Sequence, residues 1–175
     1  MVQKYVIYKN NVLKTIYQKE KISRKELHDL LDIRFATITN IIKDFIKEGI
    51  IEERGKRKKN KAGRPHSLLR IVPNGKFFIG CELNPEKIIS VILNFRGEII
   101  GSNSIKIGNE LKKEEILKEI KSVLKMLIEE SKIEKEKIFG IGFVDPGIVD
   151  MEKGISLFSS IMPEWRNIPI KSYLE

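Results

Sequence analysis

Residues 23–49, SRKELHDLLDIRFATITNIIKDFIKEG, decide the fold of the first part of this chain. Ser23 and Glu26 stand in the S-x-x-E spacing of a capping box, in which the hydroxyl accepts from the third backbone amide and the carboxylate reaches back to the cap amide. A helix therefore starts at Ser23, with Leu27, Leu30 and Leu31 on one side. The stretch Leu31-Asp32-Ile33 has the length of the turn in a helix-turn-helix. The next helix is expected over Arg34 to Glu48, with Ile38, Ile41, Ile42, Phe45 and Ile46 as its buried stripe. Gly49 is placed to end it in the left-handed conformation.

Working outward, Val12, Leu13, Ile16 and Tyr17 recur at helical spacing and predict a first helix between Asn10 and Glu20. The first eight residues carry no assignable pattern. After Gly49, Ile50 to Arg54 and Ser67 to Val72 are two short apolar runs that flank a polar loop, the pattern of a β-hairpin. Three helices followed by such a hairpin make a winged helix-turn-helix.

Charge is distributed to match. The 175 residues carry a formal net charge of +9. Residues 1–75 hold 18 Lys/Arg and 8 Asp/Glu, a net +10, whereas residues 76–175 hold 15 and 16, a net −1. A basic module followed by a near-neutral one points to a polyanionic partner for the first. On the third helix, Arg34, Thr37, Thr39, Asn40 and Lys43 lie off the apolar stripe, as do Ser23 and Arg24 at the start of the second. Amide and hydroxyl side chains can reach base edges and cations can pair with phosphates, although the same residues also suit a solvated face. The hairpin loop carries Lys56, Arg57, Lys58, Lys59, Lys61 and Arg64 and no acid. Against DNA each cation can release a counterion; in isolation they repel one another. In Gly63-Arg64-Pro65, glycine permits close backbone approach and proline stiffens the turn, so that Arg64 can enter a narrow minor groove. His66 follows that proline within reach of phosphate, while His28 is expected on the surface of the second helix.

Ser23-Arg24-Lys25-Glu26-Leu27, the helix beginning Arg34-Phe35-Ala36-Thr37-Ile38-Thr39-Asn40-Ile41, Glu48-Gly49-Ile50-Ile51-Glu52 and Gly63-Arg64-Pro65 together resemble the start of ROK-family sugar-responsive repressors. These join a winged helix to a sugar-kinase-like domain, and the resemblance continues in order through the rest of the chain. It implies a double-stranded DNA operator, binding as a homo-oligomer to two half-sites about one helical turn apart, and, in a full-length form, a sugar or sugar-phosphate effector.

From Lys76 onward the residues predict strands over Phe77–Leu83, Ile88–Phe95 and Ile99–Ile107, then a helix over Leu111–Ser131, then a buried strand over Ile138–Val144. This βββαβ order opens an actin-like ATPase lobe. The expected fold is thus α/β and multi-domain, with a winged helix-turn-helix over 1–75 and a partial ROK lobe over 76–175. In the family's kinases the first strand ends in an Asp-x-Gly turn that admits ATP phosphates, and here Glu82-Leu83-Asn84 stands in its place. Asparagine brings a side chain where phosphate approach asks for none. The chain reaches only to Glu175, before the region that supplies the family's catalytic aspartate, its sugar-binding Glu and His, and its cysteine-rich zinc site. A non-enzymatic regulator without cofactor is expected, the alternative being a ROK-family sugar kinase with an accessory N-terminal domain. Asp145 and Asp150, around Pro146-Gly147, are candidate ligands for a sugar hydroxyl or metal, with turn formation the favoured reading. Trp165 reads as a packing anchor rather than a sugar platform. A single cysteine, Cys81, in an apolar stretch precludes an internal disulfide, and no apolar run approaches the length of a membrane span, so a cytoplasmic location is expected.

Overall fold

The computed structural model describes residues 2–57, 66–108 and 111–175. The chain divides into two compact units, Met1–Lys76 and Phe77–Glu175.

In the first unit α1 (Val2–Lys19) is longer than its apolar pattern predicts, because the residues before Asn10 continue the helix. Val12 and Ile16 form its buried side, while Tyr17, expected beside them, is exposed. A two-residue strand, β1 (Ile22–Ser23), leads into α2 (Arg24–Leu31). The predicted capping box is formed: the Ser23 hydroxyl accepts from the Glu26 amide at 3.2 Å and the Glu26 carboxylate accepts from the Ser23 amide at 2.8 Å. Leu27 is buried and Leu30 is exposed, so the inward side of this two-turn helix is narrower than expected. Asp32, with φ 51°, ends it. His28 is half-buried rather than a plain surface residue. Its Nδ1 donates to the Ile33 carbonyl at 2.8 Å, which ties α2 to the turn behind it.

The third helix, α3 (Phe35–Lys47), buries Ile38, Ile41, Ile42 and Phe45, each worth about 2 kcal/mol of apolar transfer. Ile46 is 39% exposed, a departure from the expected stripe, because at 100° per residue it falls beyond the edge of the buried arc. Gly49 has φ 71° and turns the chain into β2 (Ile51–Arg57). β2 pairs antiparallel with β3 (His66–Ile71), and β3 pairs with β1, in the order β1-β3-β2. The ladder slips between Glu53 and Lys56, at left-handed Gly55.

The second unit opens with a meander, β4 (Phe77–Leu83), β5 (Lys87–Asn94) and β6 (Ile99–Lys106), followed by α4 (Lys113–Ser131), a short 3-10 turn at 135–137, and β7 (Ile138–Val144). β7 pairs parallel with β4, giving the order β6-β5-β4-β7. One sheet face, with Ile79, Leu83, Ile88 and Ile92, packs against Ile116, Ile120, Val123 and Leu127 of α4. On the other face Phe78 meets Phe95 and Phe139, with ring centroids 5.6 Å apart in both pairs. β7 is a sheet edge and largely exposed, Phe139 at 67%, which corrects the expectation of a buried strand. Its apolar run is of the type that buried parallel strands carry, but it has a neighbour on one side only among the described residues. A small antiparallel sheet follows, β8 (Ile148–Asp150), β9 (Ile155–Phe158) and β10 (Arg166–Ile168), then α5 (Ile170–Leu174).

Candidate nucleic-acid interface

The outward side of α3 presents Ala36, Asn40, Lys43 and Lys47, all exposed and spaced four, three and four residues apart, so that they form one row along the helix. Arg34, the N-cap residue, is exposed at its start and makes no capping bond. Arg34, Asn40, Lys43 and Lys47 make no ion pair or side-chain hydrogen bond with a described residue. Thr37 and Thr39 lie at the flanks, half-buried, and the Thr39 hydroxyl donates to the Phe35 carbonyl at 2.9 Å, a bond back onto its own helix. Lys47 and Ala36 are not among the residues that the sequence pattern singles out. The i, i+4, i+7, i+11 spacing from Ala36 is the signal that could have found them.

Four acids near this row have partners of their own. Asp44 accepts from the Tyr5 hydroxyl at 3.1 Å, and Glu48 pairs with Lys9 at 3.4 Å, whose ammonium also lies 5.1 Å from the centroid of the Phe45 ring. Glu52 pairs with Arg70, its cross-strand partner, at 2.5 Å, and Glu53 with Arg24. The Glu53 carboxyl is held below its ordinary value of 4.5, chiefly by the hydrogen bond from the Arg24 guanidinium. The three ion pairs offset the charges of Glu48, Glu52 and Glu53 on a surface that phosphate would approach, while Asp44, bonded to a neutral hydroxyl, keeps its charge beside Lys43.

Two expected contact residues have partners within the unit. Ser23 is 4% exposed and its hydroxyl belongs to the capping box; the Arg24 guanidinium is bound to Glu53, and its Nε is buried without a partner. Both are held by the scaffold. Lys56 and Arg57 end β2, opposite Ser67 and His66. Lys58, Lys59, Lys61, Gly63, Arg64 and Pro65 lie outside the described residues.

In the second unit, Asp145 accepts from three donors. Its Oδ1 accepts from the Gly147 amide and the Ser156 hydroxyl, and its Oδ2 from the Trp165 indole N–H, all at 2.9 Å. Asp150 accepts from the Lys153 amide at 3.0 Å and pairs with its ammonium at 3.4 Å, and the backbone bond from Lys153 is the first cause of its lowered pKa. Both aspartates serve turns. Trp165 is fully buried as a core anchor. At the end of β4, Asn84 Oδ1 accepts from the amides of Glu86 and Lys87, at 3.1 and 3.0 Å, so its side chain closes the hairpin turn. The residues there do not fit a nucleotide phosphate, which needs free amides and an open turn. Among the described residues, no group of three His, Cys, Asp or Glu side chains is arranged to hold a metal ion, and no helix is long and apolar enough to cross a membrane.

No family model matches the sequence. Individual relatives do. The chain is 33% identical over 166 residues to the xylose repressor of Caldicellulosiruptor bescii, covering 94% of this chain and 41% of the relative, and 34% identical over 164 residues to a counterpart in Caldicellulosiruptor sp. strain Rt8B.4, with the same shares covered. The Staphylococcus xylosus xylose repressor is 25% identical over 188 residues, covering 97% of this chain and 47% of the relative. The crystal structure of a ROK family transcriptional regulator, a homolog of the E. coli MLC protein, superposes with a TM-score of 0.78 at 24% identity, over 97% of this chain and 43% of the other. The class is therefore a mixed α/β protein that carries part of the ROK regulator fold. Within that class the chain is similar in sequence to the xylose repressors, and it spans about two fifths of the length of the Caldicellulosiruptor repressors.

Proposed function

We propose that the chain is the DNA-binding part of a transcriptional repressor of sugar-metabolism genes, and that its first unit is a winged helix-turn-helix. The observation that carries the reading is the exposed row Asn40, Lys43 and Lys47 on α3, preceded by Arg34, in a unit where Glu48, Glu52 and Glu53 are each paired with a cation. α3 enters the major groove of a double-stranded operator. Asn40 offers an amide to adenine, Arg34, Lys43 and Lys47 pair with phosphates, and Thr37 and Thr39 line the flanks. The hairpin cations Lys56, Arg57, Lys58, Lys59, Lys61 and Arg64 extend the contact along the backbone and into the minor groove, with Gly63 and Pro65 shaping the approach. Binding as a dimer would set two half-sites about one helical turn apart. Xylose use is the first candidate for the regulated genes, since the three relatives are named for it. A sugar or sugar phosphate is the expected effector of a full-length form.

The test is fluorescence anisotropy of the chain on a duplex pool, with single-stranded DNA and RNA as controls, over a salt series. Selective duplex binding that persists near 150 mM salt, about the physiological ionic strength, is expected. Equal binding to all three nucleic acids would refute sequence-specific DNA recognition, and an Asn40→Ala, Arg64→Ala double variant that binds as the parent does would refute the assigned contacts.

A further inference from the structure

We propose that the first turn of α3 reads thymine, with Phe35 and Ala36 packing against the 5-methyl group of a thymine in the major groove; this rests on the DNA-binding reading above. Phe35 is 50% exposed, a large ring left in water at the start of the helix that carries the cationic row. It is not loose. His28 stands edge-on to it, centroids 6.4 Å apart and planes at 82°, and His28 is itself fixed by its bond to the Ile33 carbonyl. The ring is thus held from the turn side while half its surface stays open, an arrangement that lowers the ordering cost of a contact made there. Ala36, the next residue, heads the outward row and is also exposed. Neither side chain has a donor or an acceptor, so neither can read the hydrogen-bonding edges of guanine, cytosine or adenine. Thymine alone presents a methyl group in the major groove, and apolar side chains are the groups that meet it. Asn40, one turn beyond Ala36 in the outward row, is suited to adenine, so Ala36 and Asn40 together favour a T- and A-containing step.

The experiment starts from duplexes that the chain itself selects from a random pool. Each thymine is replaced in turn by uracil, which removes the methyl group and leaves the pairing edge intact, and affinity is measured by anisotropy. At one or more positions the replacement is expected to weaken binding about fourfold, the fold-change for one methyl-sized group removed from water. Phe35→Ala should bind the thymine duplex more weakly and no longer distinguish thymine from uracil at that position. Phe35→Leu, which keeps an apolar body, should retain most of the distinction. Because Phe35 lies outside the buried stripe, unchanged far-UV ellipticity is expected for both variants. Selective binding with no thymine sensitive to replacement, or undiminished discrimination by Phe35→Ala, would overturn the assignment while leaving the DNA-binding reading standing. Absence of any duplex selectivity would overturn both.

Discussion

Ser23 shows how one residue can be legible in type and misread in role. The S-x-x-E spacing specifies a capping box because its two hydrogen bonds are local, and both are formed. The same bonds, with pairing of β1 to β3, bury the hydroxyl and take it from the surface. Ser23→Ala is expected to cost about 1 kcal/mol, seen as a melting midpoint lowered by several degrees in far-UV circular dichroism. Arg24 meets Glu53, 29 residues away in sequence, and no spacing rule announces that pair. Its sign with pH follows from the lowered carboxyl. A folded pKa below the unfolded value contributes stability that is present above the ordinary value of 4.5 and is lost as pH falls through the lower folded value. Glu53→Gln should therefore flatten the acid limb of a stability-against-pH curve below about pH 4.5; identical acid limbs for parent and variant would show that the pair contributes nothing. Gly49 was readable as a helix terminator, but Gly75 was not. A Cβ on Gly75 would sit 2.0 Å from the Gly49 carbonyl oxygen, a clash that arises only when the two turns close on each other.

At the scale of elements, α3 was the most legible, because a helix with four buried residues at 3.6-residue spacing declares its inner side and, by subtraction, its outer one. Ile46 and the two residues added to the row, Ala36 and Lys47, mark the limit of that subtraction, since the width of the buried arc is set by what packs on it. If the row binds phosphate, Lys43→Ala with Lys47→Ala should weaken duplex binding to all sequences alike. The slope of log affinity against log salt should become shallower by about 0.9 for each phosphate that is no longer neutralised. A sequence-dependent loss with an unchanged slope would place these lysines at bases instead. β7 was less legible. Its apolar run suits a strand flanked on both sides, and only its pairing with β4 shows it to be an edge.

For the whole molecule, the division into Met1–Lys76 and Phe77–Glu175 separates the candidate DNA surface from the sheet-and-helix unit. The single tryptophan, Trp165, is buried in the second unit and so reports on that unit. Asp145→Ala would leave the Trp165 N–H and the buried Ser156 hydroxyl without their acceptor, at a cost of roughly 2–4 kcal/mol. The tryptophan emission transition should move to lower denaturant while duplex affinity, which the proposed interface assigns to the first unit, stays at the parent value. A fall in affinity would mean that the second unit contributes to DNA binding. What the sequence determined by itself was whatever depends on near neighbours: the capping box, the helical stripes, the meander of β4 to β6, and the basic excess of residues 1–75. Only the tertiary structure decided which charges are spent on partners far along the chain, which apolar strand lies at an edge, and that Asp145 serves Trp165. Burial and pairing depend on the closure of distant segments, and no local spacing encodes that.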